Sequence, residues 1–243
     1  MATLWRLLPV TTLTVRQFTG GRTARLAMAL SLIPALFAAI YVLRPWGVTP
    51  GGFLGDLFRE LFLPTLLPIV VLLPATAAFG EELEDGTLPY LLMKPVTRIR
   101  LVLGKYLAAM LIALPALLLG LVVTTLLASR GRDWEVLRSP FVGMAGASIM
   151  ATLLLGAVFL LVSLFVPRAL LAGMIYVFVW ESLLGRFLPG VRAISSREQA
   201  LRVYEGLWHE DLDQAWRAAS AMAVVAIVCL VVAIWRLRRL QLS

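Results

Sequence analysis

The run YLAAMLIALPALLLGLVVTTLLA, residues 106–128, holds 23 residues without one charged side chain. As a helix rising about 1.5 Å per residue it extends about 35 Å, enough to cross a hydrocarbon core about 30 Å thick. It shows no polar stripe, and a helix that is apolar on all sides is either deeply buried or lies in a membrane. The whole chain decides between the two. Of 243 residues, 60% are apolar and 15% charged, and the mean hydropathy is +0.90. A soluble domain is about 45–50% apolar and about 25% charged. So few charges cannot clothe a soluble particle, and a chain this apolar is not disordered.

Working outward from residues 106–128, five more apolar runs have spanning character: 26–43, 61–80, 141–166, 169–184 and 218–235. Pro167 and Arg168 separate the fourth run from the fifth, and proline, lacking an N–H, divides what is otherwise far too long for one span. The expectation is an all-α polytopic membrane protein of six transmembrane helices, forming a single transmembrane domain over 1–243. Six spans place both termini on one side. That side holds twelve Lys and Arg residues against ten on the other, which by the positive-inside rule makes it cytoplasmic. No cleavable signal peptide is visible. Leu4, Leu7, Leu8, Val15 and Phe18 recur at helical spacing among Arg6, Arg16, Arg22 and Arg25, as in a helix lying in the interface before the first span. In residues 196–217, Leu201, Tyr204, Trp208, Leu212 and Trp216 follow the same spacing, which predicts one amphipathic helix on the outer face with its aromatic rings at headgroup level.

The formal net charge of +8 would suggest nucleic acid in a soluble protein. Here the basic residues flank apolar runs and face anionic lipid headgroups, so membrane lipids are the expected partners and nucleic acid is not. One cysteine, Cys229, and one histidine, His209, leave no disulfide, no cysteine cluster and no two-histidine metal site.

The loop between the second and third runs, GEELEDGTLPYLLMKPVTRIRLVLGK at 80–105, is the informative one. Glu81, Glu82, Glu84 and Asp85 leave the membrane and Gly86 permits a turn. Thr87 caps a short helix with Pro89 in its first turn, where proline is tolerated. Leu88, Leu91 and Leu92 form one apolar face, and Pro95 stops the segment because the residue before a proline disfavours helix. Thr97 caps the next helix, and Arg98, Arg100 and Lys105 lead into the third span. Such a helix, about two turns long, cannot bury its leucines within itself, so headgroups or another protein must cover them.

The ordered pattern E-x-E-D-G-T-L, a leucine-rich turn, K-P-V-T-R and G-K resembles the first cytoplasmic loop of permease subunits of ABC-2-type ABC transporters. Six spans, this length and an interfacial N-terminal helix with VRQF before span one are similar too. Pro89 stands where that family often has an acid. The resemblance implies that the loop is a coupling helix docking on a separate ABC ATPase subunit through Glu84, Gly86, Thr87, Leu88, Leu91, Leu92, Pro95, Arg98 and Lys105. It also implies a second permease copy or a related permease as partner. The function implied is an ATP-driven exporter in the cytoplasmic membrane, working by alternating access. The sequence contains no G-x-x-x-x-G-K-[ST] phosphate loop, since Gly104-Lys105 is followed by Tyr106. The chain itself is therefore read as no enzyme and as binding no cofactor, with ATP and Mg on the partner subunit.

Two further features bear on a transport path. Glu181 lies inside the fifth run, where a charge costs about 2.5–3.5 kcal/mol on insertion scales; it either pairs or snorkels near the outer face, or serves the path. Pro64, Pro68 and Pro74 sit in the second run, where prolines bend a helix and free its carbonyls, as suits either a cavity-lining helix or a kinked packing helix. Gly143, Ala147 and Ala151, with Ser148, Thr152 and Gly156, form small-residue stripes suited to close packing within the subunit. Two other classes compete. An intramembrane protease needs a histidine at membrane depth, and no run contains one; Glu81-Glu82 lack the histidines a glutamate-based peptidase requires. A membrane scaffold without transport shares all the remaining features.

Overall fold

The computed structural model describes residues 22–43, 47–84, 86, 97–129, 134–166, 168–177 and 195–239. Among them every regular element is helical. Helix α1 comprises Arg22–Ser31 and Ile33–Leu43. Helix α2 runs through Pro50–Leu57, a π-helical stretch Phe58–Leu66, and Leu67–Glu84. Then come α3 (Arg98–Ser129), α4 (Trp134–Ser163), α5 (Ala169–Ile175), α6 (Ser196–Trp208) and α7 (Leu212–Arg239). Five helices are long and apolar enough to cross a membrane: Thr23–Leu43, Pro50–Gly80, Arg98–Ser129, Leu137–Ser163 and Leu212–Arg239. They match five of the six expected spans. Of the sixth, only 169–177 belongs to the described residues, and the expected N-terminal interfacial helix lies outside them.

Prolines account for the irregularities. Pro34 has no N–H to give Leu30, and α1 breaks at Leu32, whose own N–H reaches only Ala29 at 3.3 Å. The break brings the Ser31 carbonyl against α3 at Gly120, where a Cβ would stand 2.1 Å from that oxygen, so only glycine permits the crossing. Helix α2 starts where Thr49 accepts from the Gly52 N–H at 3.3 Å with Pro50 as the first helical residue. In its π-helical stretch the Leu67 N–H reaches back five residues to Phe62. In that register the Arg59 carbonyl would accept from residue 64, which is Pro64 and has no N–H to offer. The Arg197 guanidinium from α6 donates to this carbonyl at 3.1 Å instead.

Helix α2 is the centre of the bundle. Its most apolar window is 72% buried, against 33% for α1 and 22% for α7. Pro64, Pro68 and Pro74 are all buried within it. The α4 stripes face inward: Ala147, Ala151, Ser148 and Thr152 are buried, and at Gly143 and Gly156 an added Cβ would meet the Tyr204 carbonyl at 2.8 Å and Met110 at 2.2 Å.

The expectation of a single helix over 196–217 is corrected. Helix α6 stops at Trp208, Glu210 adopts φ 61°, and a new helix starts at Leu212, with Asp211 Oδ1 accepting from the Gln214 N–H at 3.1 Å. Gly206 lets the two helices touch, since a Cβ there would stand 2.7 Å from the Ala215 nitrogen. Leu212 and Trp216 thus belong to α7. The aromatic face of α6 docks on protein, not headgroups: Tyr204 is fully buried, 5.0 Å from Phe58 and 5.4 Å from Trp208 between ring centroids.

The helices alternate between two ends of the bundle. One end gathers residues 47–60, 137–143 and 195–217, tied by Tyr41 to the Val48 carbonyl at 2.6 Å and Ser139 to the Trp208 carbonyl at 3.0 Å. The other gathers 78–84, 97–105, 164–166, 168–169 and 236–239, where Arg236 lies 4.9 Å over Phe165 and Gly80 abuts Ala169.

Candidate functional site

The loop singled out by sequence springs from the second of these ends. Glu84 closes α2, Gly86 follows in the left-handed region at φ 66° and exposed, and Thr97 precedes α3, which Arg98 opens. Gly86 takes a conformation that costs other residues roughly 1–2 kcal/mol. Thr87, Leu88, Leu91, Leu92 and Pro95 lie outside the described residues, as does Glu181.

Lys105 anchors the base of the loop. Its side chain is only 6% exposed, its ammonium donates to the Ala78 carbonyl in the last turns of α2, and it sits 4.5 Å over the Phe79 ring. A helical carbonyl keeps a second lone pair for such a bond, and a cation toward a helix C-terminus complements its dipole. One buried side chain thereby fixes where α2 leaves the bundle relative to where α3 returns, which sets the separation of the loop's two feet. Sequence supplied the residue and the structure supplies its contact.

The opposite end carries a cluster that the sequence reading passed over. Arg59 Nη2 lies 3.3 Å from Glu205 Oε1, and Arg197 Nη2 lies 3.9 Å from Glu60 Oε1. The Arg59 guanidinium also covers the Tyr204 and Trp208 rings at 5.4 and 5.7 Å. Burial pushes the Tyr204 phenol up to about 12; Arg59 opposes this, while Glu205 and Asp56 add to it. The Tyr204 hydroxyl has no hydrogen-bond partner among the described residues. The whole cluster joins α6 to the π-helical stretch of α2. Its legible signal was Thr49-Pro50, a cap followed by proline, which starts α2 eleven residues before the apolar run and so brings Arg59 and Glu60 inside the helix.

The described geometry is therefore a proline-rich central helix clamped at one end by Lys105 and ion-paired at the other to α6. Among the described residues no group of His, Cys, Asp and Glu side chains is placed to hold a metal ion. No curated protein matches the chain. A family model described as ABC-2 family transporter protein matches residues 21–194, from α1 to the residue before Ser195. With its membrane-crossing helices and a family match over most of its length, this chain is a multi-pass membrane protein and belongs to the ABC-2 family of transporter proteins.

Proposed function

We propose that the chain is the permease subunit of an ABC exporter, driven by ATP and Mg held on a separate ABC ATPase subunit and paired with a second permease, either a copy of itself or a relative. The end that bears Lys105 and the termini faces the cytoplasm, and the end that bears Arg59 and α6 faces outward. The ATPase receives the 87–95 helix by its Leu88, Leu91 and Leu92 face, with Glu84, Gly86, Thr87, Pro95 and Arg98 shaping its ends and Lys105 bracing them. Movement then passes along α2, whose Pro64, Pro68 and Pro74 allow it to bend, and the spans alternate access. Glu181 faces the interior of the subunit along the same path. The observation that carries this reading is the physical continuity of α2: one helix joins the foot of the loop to the ion-paired outer end.

Two variants test it. Leu91→Asp puts a charge into the proposed groove, and an unpaired buried charge costs several kcal/mol. Gly86→Pro forbids the observed positive φ. Both variants should insert in the membrane normally, yet fail to co-purify with the ATPase or to stimulate its hydrolysis. Normal association and transport in both would reduce the loop to an ordinary interfacial turn. Glu181→Gln should retain the fold and alter the coupled ATPase rate, whereas wild-type rates in both Glu181→Gln and Glu181→Leu would remove it from the path.

A further inference from the structure

Between α6 and the first turns of α7 lies a polar cavity of about 770 Å³ lined by Arg202, Asp211, Asp213 and Arg217, with Ala218 and Ala221 at its lower edge. That volume is in the range of small-molecule sites. None of the four charged side chains forms an ion pair among the described residues; Asp211 alone is engaged, as the cap of α7. Two cations and two carboxylates left unpaired around one hollow present both signs of charge with no net charge.

The position of the cavity along α7 indicates what would fill it. Gln214, Arg217, Ala218, Ala221, Val224, Val225 and Val228 follow one another at helical spacing of three and four, so they share a face. The polar members of that face line the cavity. The apolar members beyond it are exposed, Val224 at 59% and Val228 at 53%. Trp216, 75% exposed beside Arg217, marks the level at which aromatic rings meet headgroups. A charged hollow thus opens directly onto an uncovered apolar track that descends into the membrane.

We infer that this groove binds a zwitterionic phospholipid carrying a primary ammonium, its phosphate between Arg202 and Arg217, its ammonium toward Asp213, and an acyl chain along Ala221, Val224 and Val228. Guanidinium groups take phosphate oxygens by paired charge-assisted hydrogen bonds. The carboxylates select against lipids of net negative charge and for an ammonium donor.

The test uses the full chain in detergent, with native mass spectrometry after titration with phosphatidylethanolamine, phosphatidylglycerol or phosphatidylcholine of matched acyl chains. Phosphatidylethanolamine should be retained preferentially. The double variant Arg202→Gln/Arg217→Gln should lose roughly tenfold in retention, the loss expected from removing charge-assisted bonds. Asp213→Asn should move the preference toward phosphatidylglycerol. Arg238→Gln, at the opposite end of α7, should leave binding unchanged. Equal retention by wild type and the double variant, or no headgroup preference in wild type, overturns the inference. Displacement of the lipid by an equal concentration of soluble glycerophosphoethanolamine overturns its lipid part, because a site that uses the acyl track binds the free headgroup far more weakly.

Discussion

Replacing Lys105 by methionine separates two roles that a buried lysine can play. Methionine has nearly the same length and keeps the packing around Phe79. The substitution removes a hydrogen bond from a charged donor, worth about 1.5–3 kcal/mol, and a desolvated cation–π contact worth about 2 kcal/mol. Against these stand a sulfur–aromatic contact of about 0.3–1.5 kcal/mol and relief from burying an ammonium that is 6% exposed, a cost of several kcal/mol. The Ala78 carbonyl loses only its second partner, since it lies inside α2. The opposing contributions cancel to within about 2 kcal/mol, so Lys105→Met should fold, insert and melt within a few degrees of wild type. What it loses is the directional tether between α2 and α3. Limited trypsin digestion should then cleave several-fold faster after Lys94, Arg98 or Arg100, and the stimulated ATPase rate should fall while basal association persists. Lys105→Glu instead places a carboxylate against a carbonyl and should fail to accumulate. Unchanged proteolysis together with unchanged coupling in Lys105→Met would refute the bracing role.

The remaining expectations concern the end that carries α6. Tyr204→Phe removes a buried hydroxyl that has no partner among the described residues, so the melting temperature should hold or rise; a loss above about 1 kcal/mol would reveal a missed partner. The contribution of Tyr204 to stability should be constant below pH 10 and decline from pH 10 toward 12. The unfolded phenol deprotonates near 10 while the folded one keeps its proton to about 12, so the unfolded state binds fewer protons across that window and gains weight as pH rises; Tyr204→Phe should make this slope shallower, read as melting temperature against pH. Arg197→Leu should cost about 1–3 kcal/mol by orphaning the Arg59 carbonyl. Glu205→Gln should cost under about 1 kcal/mol, because its pair with Arg59 is 35–44% exposed; denaturation in detergent that ranks Glu205→Gln as the costlier change would invert this account.

Five of the six expected spans were legible because the bilayer imposes a length and a composition that a single helix satisfies by itself. The start of α2 was not. Arg59 and Glu60 interrupt the apolar run, so a hydropathy reading begins at residue 61, whereas the backbone obeys the cap at Thr49 and Pro50. What lets two charges sit inside a span-length helix is α6, some 140 residues away, and no local pattern reports that pairing. The same tertiary dependence hid the end of α6. Leu212 and Trp216 continue the four-residue spacing of Tyr204 and Trp208 across a turn at Glu210, so periodicity ran through a break that only Gly206 and the Asp211 cap enforce. The loop at 80–105 was legible as a motif, yet the contact of its last residue was not. Lysine beside a glycine at a membrane border ordinarily reads as a headgroup-facing cation, and here Gly104 and Lys105 are both buried against α2.

The strengths of these contacts are ordered in a way that suits the proposed movement. Lys105 is buried and ties α2 to α3 at the end from which the 85–96 loop springs. Neither ion pair at the α6 end is deeply buried on both sides, with Glu205 44% and Glu60 66% exposed, so each contributes at most about 1 kcal/mol. Between the two ends lies a π-helical stretch whose freed Arg59 carbonyl is satisfied from a different helix. If α2 shifts relative to α6, that carbonyl gives up its guanidinium, a loss of about 1–3 kcal/mol. The Lys105 contact is buried and is the costlier to break, at about 3–5 kcal/mol. A displacement imposed on the loop is therefore retained at its foot and released at the α6 end. In the proposed mechanism a single helix thereby transmits motion from the ATPase to the opposite end without breaking the apolar core that surrounds it.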